Sequence, residues 1–261
     1  MHTKSPPSAA RRTLLLGALL GCAATPALAA WPFGGETVEG RGAVSRQARQ
    51  VASFSGVALN LPGKVELRIG EREGVTVETE DNLQALVETV VEDGMLRIRP
   101  VRRNLNLRTR HLLVVVHARR IERLSLGGSG SIESDPLRAE RINIDLGGSG
   151  RIALRGVQAE RLAVAVGGSG DFRCGGGKVR LLSVSVGGSG DVDVGQVEVQ
   201  DASVSIAGSG DVTLWAQQDL NASIAGSGDV SYYGDPRVRR SIAGSGDARR
   251  LAAAPRQGSA Q

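Results

Sequence analysis

A glycine-serine turn recurs seven times in the second half of this chain at almost constant spacing. The first four copies contain GGSG, the last three contain AGSG, and their serines are Ser129, Ser149, Ser169, Ser189, Ser209, Ser227 and Ser245. The steps between these serines are 20, 20, 20, 20, 18 and 18 residues. A fixed period of this length is typical of solenoids, in which each repeat buries its apolar face only against its neighbours. The repeat therefore restricts the fold class much more than it restricts the chemistry.

Short alternating strands flank each turn. Before the turn, apolar residues alternate with small polar ones, as in Leu182-Ser183-Val184-Ser185-Val186, and a second apolar strand follows the turn. This period-two pattern indicates half-buried strands whose inward side chains stack about 4.8 Å apart in successive repeats. The sequence therefore predicts an all-β solenoid, a parallel β-helix with rungs of 18–20 residues, over residues 121–248. Each rung is completed by a looser return, which is predicted to be a loop. The shortening from 20 to 18 residues is expected in this return loop, where Val212–Leu220 is shorter than Val192–Ala202, because the turn-to-strand spacing is kept.

The middle glycine of each turn is predicted to have a structural role. A chain that reverses direction this tightly needs a positive φ and has no room for a Cβ atom against the turn above it. The glycines expected at these positions are Gly128, Gly148, Gly168, Gly188, Gly208, Gly226 and Gly244.

Residues 1–29 are predicted to be a signal peptide. Arg11-Arg12 precedes an apolar run over residues 14–21, and Ala27 and Ala29 are the small residues that signal peptidase requires. Twin-arginine and ordinary leaders share such an arginine pair, so the export route stays open. A second interpretation takes Leu19-Leu20-Gly21-Cys22 as a lipobox with Cys22 as the lipidated first residue, although cleavage after Ala29 is favoured. No other apolar stretch is long enough to span a membrane.

Composition argues against nucleic acid as a partner. Aromatic residues make up only 3% of the chain, which leaves little for stacking on bases. Of the 32 basic residues, Lys4, Arg11 and Arg12 belong to the leader, so 29 remain against 27 acidic residues. Without the leader, Cys174 is the single cysteine left, and its place in an inward column predicts a buried structural thiol.

The regions on either side of the repeats are less regular. Residues 30–50 have no clear period and are predicted to be a tether, and residues 249–261 are predicted to be a disordered tail. Residues 51–120 contain strand patterns such as Lys64–Ile69 without a fixed spacing, and are predicted to form irregular β-rich rungs that cap the solenoid. Within them, residues 81–90 fit either one helical turn or a strand that begins near Val87.

Several short sequence segments, in a fixed order, indicate a resemblance to a known family. They are Phe54-Ser55-Gly56-Val57, Val65-Glu66-Leu67, Gly94-Met95-Leu96-Arg97-Ile98, and Ile121–Leu126 running into the first turn. The stretch from about Val51 to Ala248 resembles a bacterial family described as putative autotransporter adhesin, head GIN domain, a domain of unknown function. The resemblance implies an exported, single-stranded right-handed β-helix and no established reaction.

The residue after the turn is an aspartate in the last five repeats. A file of like charges at rung spacing is repulsive, so a bridging cation is one interpretation. The string GGSGD also resembles a calcium-binding nonapeptide repeat, but the period differs and the opposing half-site is missing. Solvated carboxylates that accept turn N–H bonds are the favoured prediction, and neither a metal nor a cofactor is expected. The residues concerned are Asp171, Asp191, Asp211, Asp229 and Asp247.

No catalytic residue is predicted. The carboxylates of the file share one repeat position, whereas a glycosidase needs two carboxyl groups in different environments. We therefore expect a non-catalytic, adhesin-like module in the periplasm, at the outer-membrane surface or secreted, with glycans or other envelope components as partners. The alternative is a carbohydrate-active enzyme, of the polysaccharide lyase or hydrolase type, on a β-helix.

Overall fold

The computed structural model describes residues 36–255. The chain is nearly all β, and stacked parallel coils form a β-solenoid of about six turns, which confirms the predicted fold class. The signal peptide, with Ala29 and Cys22, lies outside the described residues. Within residues 36–255, no helix is long and apolar enough to cross a membrane.

From residue 36, where the described part of the chain begins, nine strands and one 3-10 helix precede the regular repeats. The helix spans Asp81–Leu86, and the strand beginning at Val87 follows it directly, so both structures expected for residues 81–90 are present. The strands are β1 (Glu36–Glu39), β2 (Val44–Arg49), β3 (Gly56–Leu59), β4 (Lys64–Ile69), β5 (Gly74–Glu80), β6 (Val87–Glu92), β7 (Met95–Pro100), β8 (Leu105–Arg108) and β9 (Leu113–Ala118).

The order in which these strands stack differs from their order in the chain. β3 and β4 form one coil, and β7 and β9 pair in parallel beneath it although they come later in the sequence. β5, β6 and β2 then cover that lower edge with antiparallel pairing, β5 on β9, β6 on β7 and β2 on β5. An antiparallel cover removes the free parallel edge at this end of the stack.

The regular coils follow from Arg123 to Ala252. Their strands are β10 (Arg123–Gly128), β11 (Ser131–Ser134), β12 (Leu137–Gly148), β13 (Arg151–Leu154), β14 (Val157–Gly168), β15 (Asp171–Cys174), β16 (Gly177–Gly188), β17 (Val192–Gly208), β18 (Val212–Gly226), β19 (Val230–Tyr233), β20 (Arg237–Gly244) and β21 (Ala248–Ala252). Equivalent residues pair in parallel, for example Leu146 with Val166 and Val166 with Val186. The predicted loose return is itself paired strand, since Leu137 pairs with Val157.

Inward side chains fill the interior of the stack. The column Leu146, Val166, Val186, Ile206 and Ile224 is 1–2% exposed, whereas Ile242 at the end of the column is 37% exposed. Burial of aliphatic columns is the main stabilising contribution available to a chain with so few aromatic residues. The change of period is absorbed in the return segment, where the pairing of β17 with β18 shifts between Val194 and Glu198 and again between Val199 and Asp201.

Two boundary predictions are wrong. The predicted tether at residues 30–50 contains β1 and β2, which pair with β8 and β5. β2 is mostly exposed, so its residues show no apolar alternation and the pattern could not be recognised. The predicted disordered tail at 249–261 begins with four residues of β21, which hydrogen-bonds to β19, and Pro255 is buried.

Candidate functional site

The middle glycines of the turns have the backbone conformation that only glycine adopts easily. Their φ angles lie between 106° and 141°. A Cβ atom placed on Gly148 would lie 2.5 Å from the carbonyl oxygen of Gly128 in the coil below. The preceding glycine differs, because a Cβ atom on Gly147 would meet nothing within 4 Å. The glycines with positive φ are Gly128, Gly148, Gly168, Gly188, Gly208, Gly226 and Gly244.

Most of the carboxylates after the turns accept hydrogen bonds from backbone N–H groups. Asp191 Oδ1 accepts the N–H of Asp211 at 3.0 Å, and Asp211 Oδ1 accepts the N–H of Asp229 at 2.9 Å. Asp229 repeats the contact with the N–H of Asp247 at 2.9 Å. Asp171 instead accepts Arg151 Nη2 at 3.1 Å. Within residues 36–255, no group of three or more His, Cys, Asp or Glu residues is arranged to hold a metal ion.

A buried carboxylate holds the N-terminal cap together. Glu80 is 4% exposed and accepts the N–H of Arg110 and the hydroxyl of Thr109, each at 2.8 Å, and the hydroxyl of Thr79 at 3.0 Å. Burial by itself raises the pKa of Glu80, but these hydrogen bonds outweigh it and hold the pKa at about 2. The ionised carboxylate therefore ties the end of β5 to the loop before β9.

The displaced pKa values do not resemble those of a catalytic pair. Glu66 has a lowered pKa because Arg68 hydrogen-bonds to it, and Glu92 has one because Arg99 does. Together with Glu80, all three displacements are opposite in direction to the one that a general acid needs. Cys174 is buried as predicted, and its burial raises the pKa of the thiol to about 11, which makes it a poor nucleophile.

A groove of about 650 Å³ runs along the return segments. One wall consists of Gln158, Lys178 and Glu198, which are neighbours in successive coils. The other wall consists of Glu160, Arg180, Gln200, Gln217 and Gln218. Between the walls, the floor is formed by the small residues Ala139 and Ala159 and by Val179. The groove thus runs parallel to the axis of the stack and crosses several coils.

The charged side chains in this groove are paired with one another. Lys178 Nζ lies 3.2 Å from Glu198 Oε1, and Arg180 Nε lies 2.7 Å from Glu160 Oε2. Gln200 Nε2 donates to Gln218 Oε1 at 3.2 Å. Two cations and two anions leave the groove without net charge, although its surface is rich in hydrogen-bonding groups.

Two aromatic side chains lie beside the groove, in the coils beyond Glu198. Glu198 pairs with Trp215, and Trp215 pairs with Tyr233 in the next coil. Both rings are partly exposed. A Cβ atom on Gly195 would lie 3.4 Å from Cε2 of Tyr233, and one on Gly234 would lie 3.4 Å from Cδ1 of Trp215. Each ring therefore packs against a glycine that leaves room for it.

The sequence reasoning missed the groove and the aromatic pair beside it. A return segment predicted to be a loop has no fixed alternation by which the outward residues of successive repeats can be matched. Trp215 and Tyr233 each follow their turn serine by the same number of residues, Ser209 and Ser227 respectively. That coincidence was the signal from which the pair could have been recognised.

Solved structures with this fold include two putative adhesins and a putative lipid binding protein. A putative adhesin from Bacteroides fragilis has a TM-score of 0.77 at 19% identity, over 82% of this chain and 100% of its own. A putative lipid binding protein from Parabacteroides distasonis has a TM-score of 0.71 at 25% identity, over 83% of this chain and 100% of its own. A putative adhesin from Parabacteroides merdae has a TM-score of 0.66 at 16% identity, over 83% and 100% respectively. No curated protein matches the chain.

A family model also matches most of the chain. It covers residues 53–236, from the irregular coils of the cap to the last coils of the stack. This range agrees with the resemblance expected between about Val51 and Ala248, and the recognition of the family from sequence is confirmed. The chain therefore belongs to the family described as "Putative auto-transporter adhesin, head GIN domain".

Proposed function

We propose that this protein is an exported, non-catalytic interaction module that makes adhesin-like contacts at the bacterial cell envelope. The observation that carries the proposal is the division of side chains between the inside and outside of the stack. Inward columns are aliphatic and filled, while outward columns repeat small hydrogen-bonding groups from coil to coil, as in Ser183, Ser203 and Asn221. Repeated weak contacts of this kind favour multivalent binding to a polymeric or surface-bound partner.

Export is part of the proposal and is supported by the leader pattern of residues 1–29. Intact mass of the protein from its native host is expected to correspond to a chain that starts at Ala30. A lipid-modified start at Cys22 would replace this with a membrane-anchored form.

Glycans or other envelope components are the proposed partners. The name of the Parabacteroides distasonis relative raises lipid as another ligand class. Inward side chains fill the described coils, and polar side chains line the groove, which favours a polar ligand.

The competing hypothesis is a carbohydrate-active enzyme on the same fold. The carboxylate file argues against it, because Asp191, Asp211 and Asp229 are engaged by backbone N–H groups. A glycan array combined with a turnover screen on the same glycans separates the two hypotheses. Binding without product is expected, whereas product formation that is lost in Asp211→Asn would establish the enzyme.

A further inference from the structure

The groove along the return segments has the form of a site for an extended polymer. It crosses coils that repeat about every 4.8 Å, so equivalent polar groups recur at short, regular steps along its length. Gln158, Lys178 and Glu198 occupy successive steps of one wall, and Gln200 and Gln218 occupy successive steps of the other. A ligand with regularly repeated hydrogen-bonding groups can use every step, whereas a compact ligand uses only one or two.

The charge pairing in the groove selects a neutral ligand. Lys178 and Arg180 are each held by a glutamate of a neighbouring coil, at 3.2 and 2.7 Å. An anionic polymer would have to compete with these glutamates for both cations. Hydroxyl groups, in contrast, can both donate to the glutamates and accept from the amides without breaking the ion pairs.

The aromatic pair beside the groove supplies an apolar contact. Among residues 36–255 the Trp and Tyr side chains are Trp215, Tyr232 and Tyr233, all within two neighbouring coils. Tyr232 packs against the core, which leaves Trp215 and Tyr233 as a partly exposed pair. Trp215 pairs with Glu198 between two shifts of register in the pairing of β17 with β18, and Tyr233 pairs with Trp215 in the next coil. Aromatic rings that combine an apolar face with a polar group are favoured at binding sites, and a pyranose ring presents a matching apolar C–H face.

We propose that the groove binds a neutral polysaccharide lying along the axis of the stack, with sugar rings against Trp215 and Tyr233. This inference rests on the proposed glycan-binding function and specifies its site and ligand class. Hydroxyl groups of the sugars hydrogen-bond to Gln200, Gln218 and Glu160, and the small floor at Ala139 and Ala159 gives the polymer access to them. The ligand contacts several coils at once, so affinity depends on polymer length.

The test is affinity electrophoresis of the full mature chain in gels that contain one polymer each. The neutral probes are hydroxyethyl cellulose, xyloglucan, galactomannan and amylose, and the anionic probe is polygalacturonate. At least one neutral polymer is expected to retard the wild-type chain, and raising the salt concentration is expected to leave the retardation unchanged. Trp215→Ala and Tyr233→Ala are each expected to weaken that binding about tenfold, equivalent to about 1.4 kcal/mol.

Matched variants separate loss of binding from loss of folding. Trp215→Phe and Tyr233→Phe keep a ring at each position and are expected to retain most of the affinity. Arg173→Ala, at an exposed position of β15 outside the groove, is expected to bind as the wild type does. The thermal melt of each variant, followed by circular dichroism, shows whether it is folded at the temperature of the gel.

The possible failures are distinguishable. Equal retardation of the wild type, Trp215→Ala and Tyr233→Ala would overturn the site and leave the proposed function intact. Retardation by polygalacturonate alone, lost at high salt, would overturn the neutral ligand class. A wild-type chain retarded by none of the polymers would overturn this inference, and the glycan array then decides separately whether the proposed function also fails.

Discussion

At the scale of single residues, two adjacent glycines in each turn have different constraints. Gly148 has a φ of 118° and faces a carbonyl oxygen of the coil below, while Gly147 faces open space. The later coils agree with this difference, because Ala207, Ala225 and Ala243 replace the first glycine and none replaces the second. The middle glycine is therefore required by backbone geometry, whereas the first position also accepts alanine.

We expect Gly148→Val and Gly188→Val to lower the free energy of unfolding by about 1–3 kcal/mol or more. A β-branched side chain disfavours positive φ, and at Gly188 a Cβ atom would lie 2.4 Å from the carbonyl oxygen of Gly168. Gly147→Ala is the matched control and should change stability by less than about 0.5 kcal/mol. Urea unfolding curves measure all three, and equal midpoints for the Val variants and the control would refute the role of the turn.

The aspartates of the file are either hydrogen-bond acceptors or cation ligands, and the two roles predict different effects of mutation and of calcium on stability. If Asp211 only accepts the N–H of Asp229, Asp211→Asn keeps an oxygen acceptor, relieves repulsion and is neutral or slightly stabilising. Asp211→Ala removes the acceptor and should cost about 1 kcal/mol. Added calcium or a chelator should leave the melting temperature of the wild type unchanged. A calcium-dependent rise that disappears in Asp211→Asn would show a cation site instead.

The lowered pKa of Glu80 predicts how the stability of the N-terminal cap depends on pH. Its pKa in the folded chain is about 2, below the ordinary value of 4.5, so its ionised form stabilises the folded state above about pH 4.5. That contribution is lost as the pH falls from 4.5 towards 2. Melting temperatures of the wild type and Glu80→Gln should therefore differ most near neutral pH and converge at low pH. A difference that stays constant from pH 7 to 3 would contradict this role.

At the scale of whole elements, the last coil departs from the pattern of the coils before it. Arg240 takes the place of Ala222 in one core column, and Arg250 takes the place of Tyr232 in another. Val238 and Ile242 in the same coil are 36% and 37% exposed. Among the described residues, β20 and β21 have no strand on their outer edges. Inward-pointing charges at such an edge oppose the addition of further strands.

We expect Arg240→Val combined with Arg250→Leu to cause concentration-dependent association, because the change extends two aliphatic columns to the open end. Arg239→Val, on an outward position of the same strand, is the control and should not associate. Sedimentation velocity over a range of protein concentrations compares the variants. If the double variant sediments as the wild type does at every concentration, Arg240 and Arg250 do not prevent association at this edge.

The sequence predicted the elements whose patterns repeat and missed those whose patterns do not. Lys64–Ile69 was predicted with the bounds that β4 has, and the inward columns were assigned because apolar residues recur at a fixed spacing. β1, β2 and β21 pair mainly through their backbones while their side chains face solvent, so no side-chain pattern identified them. The stacking of β7 and β9 beneath β3 and β4 depends on a chain crossing that no local pattern encodes. The groove was missed for a similar reason, because its walls belong to a segment that was assumed to be a loop.

At the scale of the whole molecule, each coil is an interchangeable unit. Removing residues 151–170 joins Gly150 to Asp171 at equivalent turn positions and deletes one period of 20 residues. We expect this variant to fold and to melt cooperatively at a lower temperature than the wild type, because it keeps register but loses one interface between coils. Removing residues 151–160 is the control that breaks the register and should abolish the cooperative transition. Circular dichroism melts compare the two, and similar curves would show that register is not what holds the stack together.

The strands of the antiparallel cover lie near the start of the chain, so they are synthesised before the regular coils. The cover and the coils that it seals are complete by Ala118. From β12 onwards, each new coil pairs with residues only 17–20 positions earlier. Such short-range contacts form rapidly, and each new coil meets an edge that is already formed. If the proposed export delivers the chain unfolded, we expect the growing end of the stack to follow the emerging chain across the membrane. Every docked coil then resists backward slippage of the chain through the pore.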